Sequence, residues 1–432
     1  MPESKSKPEF KAAVGLSREW DARKAGREVA RDTLEKLGTD PDFFLLFSTI
    51  HYEKWGGFKE FLAGVWDVLP EGTPLIGGTV AGFIIPQGCF TRGATALAVS
   101  YPNMDVAVGY GKNTKRAPHL AAKHCAEMIK RGLKDSKYKN KFLFEITSNG
   151  TLPKVPGIGR KHVFKSNFLG EILLTLVYLL NITLQYGAGR EDEVFKFLSE
   201  YLPDYSMLAT ASYDDNRSLS NYQFYKNNVL TNSILAVGIA TDIKPNIRSD
   251  TGLIPSGIKM SISDKKLFNC AFKKINGKKA RDEILTLLGW TENFLDERLH
   301  RRTNNYPLCT MKDGVLRPFV IALFVGDSLC CKNSILENEL EVYYASGKSM
   351  MESVENCLTL DNTTGLLFGL GVSCTSRMET LGYNVYAVRD RLHKYFENKP
   401  FLLLYGAGEG IKLQNSKAIY LNSSFNMAIF NH

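Results

Sequence analysis

PLIGGTVAG, residues 74–82, ends an apolar run in two glycines and a small-residue turn. FLLLYGAGEG, residues 401–410, ends another in three glycines around one carboxylate. A strand that finishes this way presents bare main chain at its tip, because glycine has no side chain to cover it. Both stretches sit in the same local order. In the first copy the apolar strand FFLLFST (43–49) leads into FKEFLAGVWDVL at helical spacing, then PLIGG, the turn TVAG and the strand ATALAVS. A second copy runs from FLFEIT (142–147) through a long helical insertion and EVFKFLSEYL to SMLATASYDD (206–215), QFYKN and SILAVGIA. A third runs from GLLFGLGVSC (365–374) through NVYAVRDRLHKYFE to FLLLYGAGEG and the pair KAIYLNS, FNMAIF. Strand, helix, strand, tight turn and hairpin thus recur three times, with Ala81-Gly82 and Ala407-Gly408 at matching places.

The expected fold is α/β (mixed α+β): repeated strand-helix-strand-hairpin units building mixed sheets flanked by helices, in a two-part chain. REWDARKAGREVARDTLEKL adds a helix ahead of the first copy. Turn signals at SDTGLIPSG, KINGKKA and MKDGVLRP mark a strand-rich stretch between the second and third copies.

A chain of 432 residues with 44% hydrophobic and 23% charged residues is a folded protein of more than one core. The start MPESKSKPEFKAA has no apolar core of a secretory signal, so a reducing, cytoplasmic setting is expected for the eight cysteines. They form no C-x-x-C pair, and buried free thiols are expected. The longest apolar run, FLGEILLTLVYLLNITLQYG (168–187), carries Glu171, Asn181 and Gln185 and is read as a core helix, not a membrane span. Of the net charge of +9, residues 112–141 hold ten Lys/Arg against two acids. That segment reads as an amphipathic helix with a solvated basic face, or as a docking face for an acidic partner. Nucleic acid is not expected, since no aromatic interleaving accompanies the charge.

Nucleotide binding is not supported by the spacing of the glycines. GAGEG lacks the Lys-Ser/Thr of a phosphate loop, and neither YGAGRED (186–192) nor VPGIGRK (155–161) gives G-x-G-x-x-G between strand and helix. No metal constellation, serine triad or cofactor motif is present in the sequence, so no cofactor and no catalytic residue is assigned, and the chain is expected not to be an enzyme. In SCTSRMETLG (373–382) Cys374 reads as a small buried residue, whereas Arg377, on a short loop at a strand end, offers a bidentate fork to a carboxylate. Asp214 and Asp215 follow the second copy's strand where Glu409 follows the third, with turn capping as their plainer role. If the three turns meet, Gly77, Gly78, Thr79, Ala81 and Gly82, Asp214 and Asp215, and Arg377, Tyr405, Gly406, Gly408 and Glu409 line one small volume. Such a site suits a zwitterion, its carboxylate on Arg377 and main-chain amides, its ammonium on Glu409 or Asp215.

These blocks resemble the FIST family, a sensory module of an N-terminal and a C-terminal part proposed to bind small ligands such as amino acids. DARKAGREVARDTLEKL before PDFFLLFSTIHY, PLIGGTVAG, and SMLATASYDD before YQFYKNNVLTNSILAVGI are similar to its N-terminal blocks. SDTGLIPSG, KINGKKARDEI, YPL (306–308), LRPFV, SCTSRMETLG and LYGAGEG follow in the order of its C-terminal blocks. The resemblance implies a flexible N-terminus over 1–10, an N-terminal FIST domain over 11–245 and a C-terminal one over 246–432. It carries Gly77, Thr79, Ala81 and Gly82, Asp214 and Asp215, and Arg377, Gly408 and Glu409 over as site residues. Two positions depart from the family pattern: Gly78 stands where a cysteine is usual and Phe83 where an acid is usual, leaving one wall less polar. The resemblance also implies a cytoplasmic receptor part without an output module, whose small-molecule ligand is reported to a separate downstream signalling protein. An adaptor working through residues 112–141 is the alternative. An enzyme using Glu409 or Cys374 ranks last.

Overall fold

A computed structural model describes residues 9–152, 161–215, 217–296, 298–312, 314–359 and 365–432. Most of the expected flexible N-terminus and most of VPGIGRK lie outside the described residues. The fold is mixed α/β, and the described residues form three six-stranded mixed sheets and one nine-stranded sheet.

The threefold grammar is realised in space. Each six-stranded sheet is built on one parallel pair: Phe43–Ser48 with Leu75–Thr79, Asn140–Ser148 with Ser206–Ser212, and Leu366–Cys374 with Phe401–Gly406. Each copy then gives its hairpin to another copy's sheet. The first copy's Gly82–Ile85 pairs with Phe401–Gly406, the second's Gln223–Tyr225 with Leu75–Thr79, and the third's Glu409–Lys412 with Ser206–Ser212. The exchange closes into a cycle. The three inner faces meet in one apolar core that includes Phe43, Phe47, Phe142, Phe144, Phe368 and Phe430.

Two helices cover the outer face of each sheet: Ala22–Leu37 and Gly57–Trp66, Pro118–Gly132 and Glu191–Tyr201, and Gly347–Leu358 and Val385–Phe396. Their starts are set locally. The Asp21 carboxylate accepts from the Lys24 N–H at 2.9 Å, and Ser346 forms a reciprocal box with Ser349.

The strand-rich stretch is a separate layer, a nine-stranded sheet centred on Leu253–Lys266 with its own core around Phe272, Phe324 and Val342. The segment 112–141 is not one helix. It ends the strand Met104–Lys112, forms the helix Pro118–Gly132 and enters the strand Asn140–Ser148. Lys115, read as part of the basic face, is instead 2% exposed and donates to Thr151 Oγ1 at 3.3 Å. Burial pushes its ammonium down to about 8.

The apolar run 168–187 departs from its reading as a core helix. The helix Asn167–Leu184 lies on the surface with only Gly170, Leu174 and Asn181 buried. It is long and apolar enough by composition to cross a membrane, yet one face packs on the fold. Periodicity gave the helix but not which face was free, because the run is apolar nearly all round.

Candidate functional site

The three glycine turns do gather, joined by main-chain hydrogen bonds. Ala81 N–H donates to Tyr405 O (2.9 Å), Tyr213 N–H to Thr79 O (2.8 Å) and Ala407 N–H to Ala211 O (3.0 Å). The small residues allow this approach. A Cβ on Gly406 would sit 1.9 Å from Thr210 Oγ1, and one on Gly78 2.6 Å from Tyr222 O. Gly77 and Gly78 are interior strand positions paired with Leu46 and Gln223, and Gly82 is paired with Tyr405.

The turns fill the space between them with each other, and the hollow opens to one side. This cavity of about 180 Å³ is enclosed by the end of the third copy's strand (Gly406, Ala407), by Cys374–Ser376, by Tyr213 and Ser218, and by the Gly187–Gly189 link. Its far wall is the surface helix (Leu173, Leu174, Val177) and the nine-stranded sheet (Ile321, Leu323). Of the twelve residues expected to line one volume, Gly406 alone does so.

The charged expectations are corrected by where their partners lie. Arg377 is 1% exposed and spends its guanidinium inward: Nη1 donates to Thr251 O (2.7 Å) and Ser423 O (3.3 Å), Nη2 to Met350 O (2.8 Å) and Ser353 Oγ (2.6 Å). It is an internal tie, not a fork held out to a ligand. Asp214 accepts from the N–H groups of Arg217, Ser218 and Leu219 at 2.9, 3.0 and 2.6 Å, the turn-capping role. Asp215 is exposed and pairs with Arg217 at 3.3 Å. Thr79 Oγ1 accepts from Tyr222 N–H at 3.1 Å, and Gly408 faces the Tyr420 ring.

Glu409 is fully buried and does not line the cavity. One oxygen accepts from Ser424 N–H (3.3 Å) and Oγ–H (2.9 Å), and the other has no partner among the described residues. Burial pushes its carboxyl up to about 7, against the opposing positive charge of Lys332. Glu191, at the start of the helix Glu191–Tyr201, is likewise pushed up to about 7 by burial. Such a carboxyl contributes stability that is complete below its ordinary value near 4.5 and is lost as pH rises through about 7. Melting temperature should therefore fall by several degrees from pH 5 to pH 8, and a Glu191→Gln/Glu409→Gln variant should show a flatter profile in scanning fluorimetry. Parallel profiles would refute the assignment.

Sequence reasoning missed the cations of the site: exposed Lys161 and half-buried Lys332 both line the cavity. Lys332, half-buried in the cavity wall, stands over the Tyr213 ring at 5.4 Å and makes no ion pair among the described residues. Nearby, Asn422 is 2% exposed; its Nδ2 donates to Asn333 Oδ1 (2.7 Å) and Pro318 O (3.2 Å), while its Oδ1 is an unmet acceptor among the described residues. Four thiols complete the wall. Burial pushes Cys374 up to about 11 and Cys330 up to about 12, and holds Cys270 and Cys331 well above the usual range, so all stay protonated at neutral pH. A cation, a buried acceptor and an aliphatic wall can hold a small molecule with a carboxylate, a donor and an apolar part.

Comparison with curated proteins returned no match. Among solved structures, a cyanuric acid hydrolase from A. caulinodans matches with 8% identity and TM-score 0.28, over 54% of this chain and 71% of that one. Another cyanuric acid hydrolase matches with 11% identity and TM-score 0.33, over 98% of this chain and 99% of the other. These matches correct the expectation that the chain is not an enzyme, since the structures recovered are of an enzyme. At such TM-scores they transfer no activity. The FIST N domain matches residues 42–266, over half of the sequence and spanning the first two copies of the repeat: the chain belongs to the FIST family of small-ligand-binding sensory domains.

Proposed function

We propose that the cavity binds an amino acid with a short aliphatic side chain and that the chain is a sensor of it. Lys332 Nζ takes the ligand carboxylate, Asn422 Oδ1 accepts from its ammonium, and Leu173, Val177, Ile321 and Leu323 hold its side chain. The observation that carries this reading is Lys332, a cation in a cavity wall with no ion pair among the described residues. At about 180 Å³ the hollow is smaller than the roughly 300–1,000 Å³ of pockets for drug-sized ligands, which favours a small metabolite. In this reading residues 246–432 act as the C-terminal FIST part, the protein works in the cytoplasm, and a separate signalling protein reads its state.

Mass spectrometry of small molecules released from natively purified protein, together with a thermal-shift panel of the amino acids, tests it. A ligand of this kind raises the melting temperature with concentration by mass action. No shift with any aliphatic amino acid, and no amino acid released, would overturn it.

A further inference from the structure

The surface helix Asn167–Leu184 has two faces of different fate. Gly170, Leu174 and Asn181 are buried against the fold, where a Cβ on Gly170 would sit 2.9 Å from Gly326 N, and Leu173 and Val177 line the cavity. The opposite stripe is apolar and bare. Phe168 is 76% exposed, Ile172 50%, Leu176 40% and Leu179 52%, positions that fall on one side of a helix of 3.6 residues per turn. Polar groups on that side are silenced, since Thr175 and Thr183 return their hydroxyls to the carbonyls of Glu171 (3.0 Å) and Leu179 (2.7 Å). A bare apolar stripe of this length marks a contact surface.

The border of the stripe says what covers it. Glu171, the helix's one charged residue, is held by Lys266 and Lys273, each at 2.5 Å. Exposed Lys161 and Lys165 precede the helix, and exposed Arg116 donates to the carbonyls of Ile182 and Thr183 at its end. The carboxylates Glu292 and Asp327 at this border are each engaged: Glu292 lies 4.0 Å from Lys165, and Asp327, bonded to Asn167, is paired with Lys279. Cations thus flank the apolar stripe at both ends and along one side. A second copy of the chain on this face would bring cation against cation across the dyad. An anionic lipid surface answers both the apolar stripe and the positive border.

We propose that this helix seats in the headgroup region of an anionic bilayer and lies along it. Crossing would require its buried face to leave the fold and expose Asn181 to lipid.

Flotation with phosphatidylcholine vesicles, with and without about 30% phosphatidylserine, tests the proposal. The full chain should bind the phosphatidylserine vesicles, release as salt is raised, and ignore pure phosphatidylcholine. Leu176→Glu/Leu179→Glu, both exposed, should cut binding about tenfold or more with an unchanged circular-dichroism spectrum and melt. Lys161→Ser/Lys165→Ser should weaken it too and flatten the salt response, a second readout should the first variant fail to fold. Absence of wild-type binding, or wild-type-like binding by the lysine variant, would overturn the proposal. So would a wild-type dimer in sedimentation that the leucine variant dissolves, which would assign the face to a second copy.

Discussion

Lys332→Met should reduce amino-acid affinity by at least about 30-fold, the roughly 2 kcal/mol carried by a charge-assisted hydrogen bond to a carboxylate. The substitution keeps an unbranched stem one atom shorter and removes the ammonium with its charge and its three donors. Lys332 makes no ion pair among the described residues, but its charge opposes the burial shift of Glu409 and Glu191, so the stability comparison is made near pH 5, below the value of about 7 for both carboxyls. Stability without ligand should move by less than about 1 kcal/mol, as for substitutions outside buried networks. Calorimetry against aliphatic amino acids measures the first quantity, and a denaturant titration the second. Affinity equal to wild type would remove Lys332 from the site.

Arg377→Ala should do the reverse. Deleting the guanidinium strands the carbonyls of Thr251, Met350 and Ser423 and the Ser353 hydroxyl around a side chain that is itself 1% exposed. Breaking a buried network of this kind costs roughly 3–5 kcal/mol. The variant should therefore melt several degrees lower and, where folded, bind ligand within a few-fold of wild type. A variant as stable as wild type that binds far more weakly would restore Arg377 to the ligand and refute the inward assignment.

The comparison of these two cations shows what the sequence could and could not convey. Repeated local order disclosed the three strand-helix-strand-hairpin units, because strand and helix periods and glycine punctuation are properties of short segments, whereas the parallel pairing and the meeting of the turns are properties of the folded chain. Arg377 was visible as a guanidinium at a strand end. Its direction was not, since that depends on carbonyls 27 to 126 positions away. Lys332 follows an ordinary strand of the nine-stranded sheet, Ser328–Cys331, and no local pattern marks it. Its role arises only because that sheet packs beside the third copy's glycine turn. The helix 167–184 failed for a related reason: a run apolar on nearly every side specifies a helix without specifying which side the fold will cover.

The cyclic loan of hairpins has a practical corollary for anyone dividing this protein. A fragment ending near residue 245 would keep the hairpin of its first copy but lose the strand Phe401–Gly406 that receives it, and its second sheet would lack Glu409–Lys412. Both severed margins would present unpaired N–H and C=O groups. Such fragments would recruit each other's spare strands and associate by swapping, so the protein must be handled as an undivided ring.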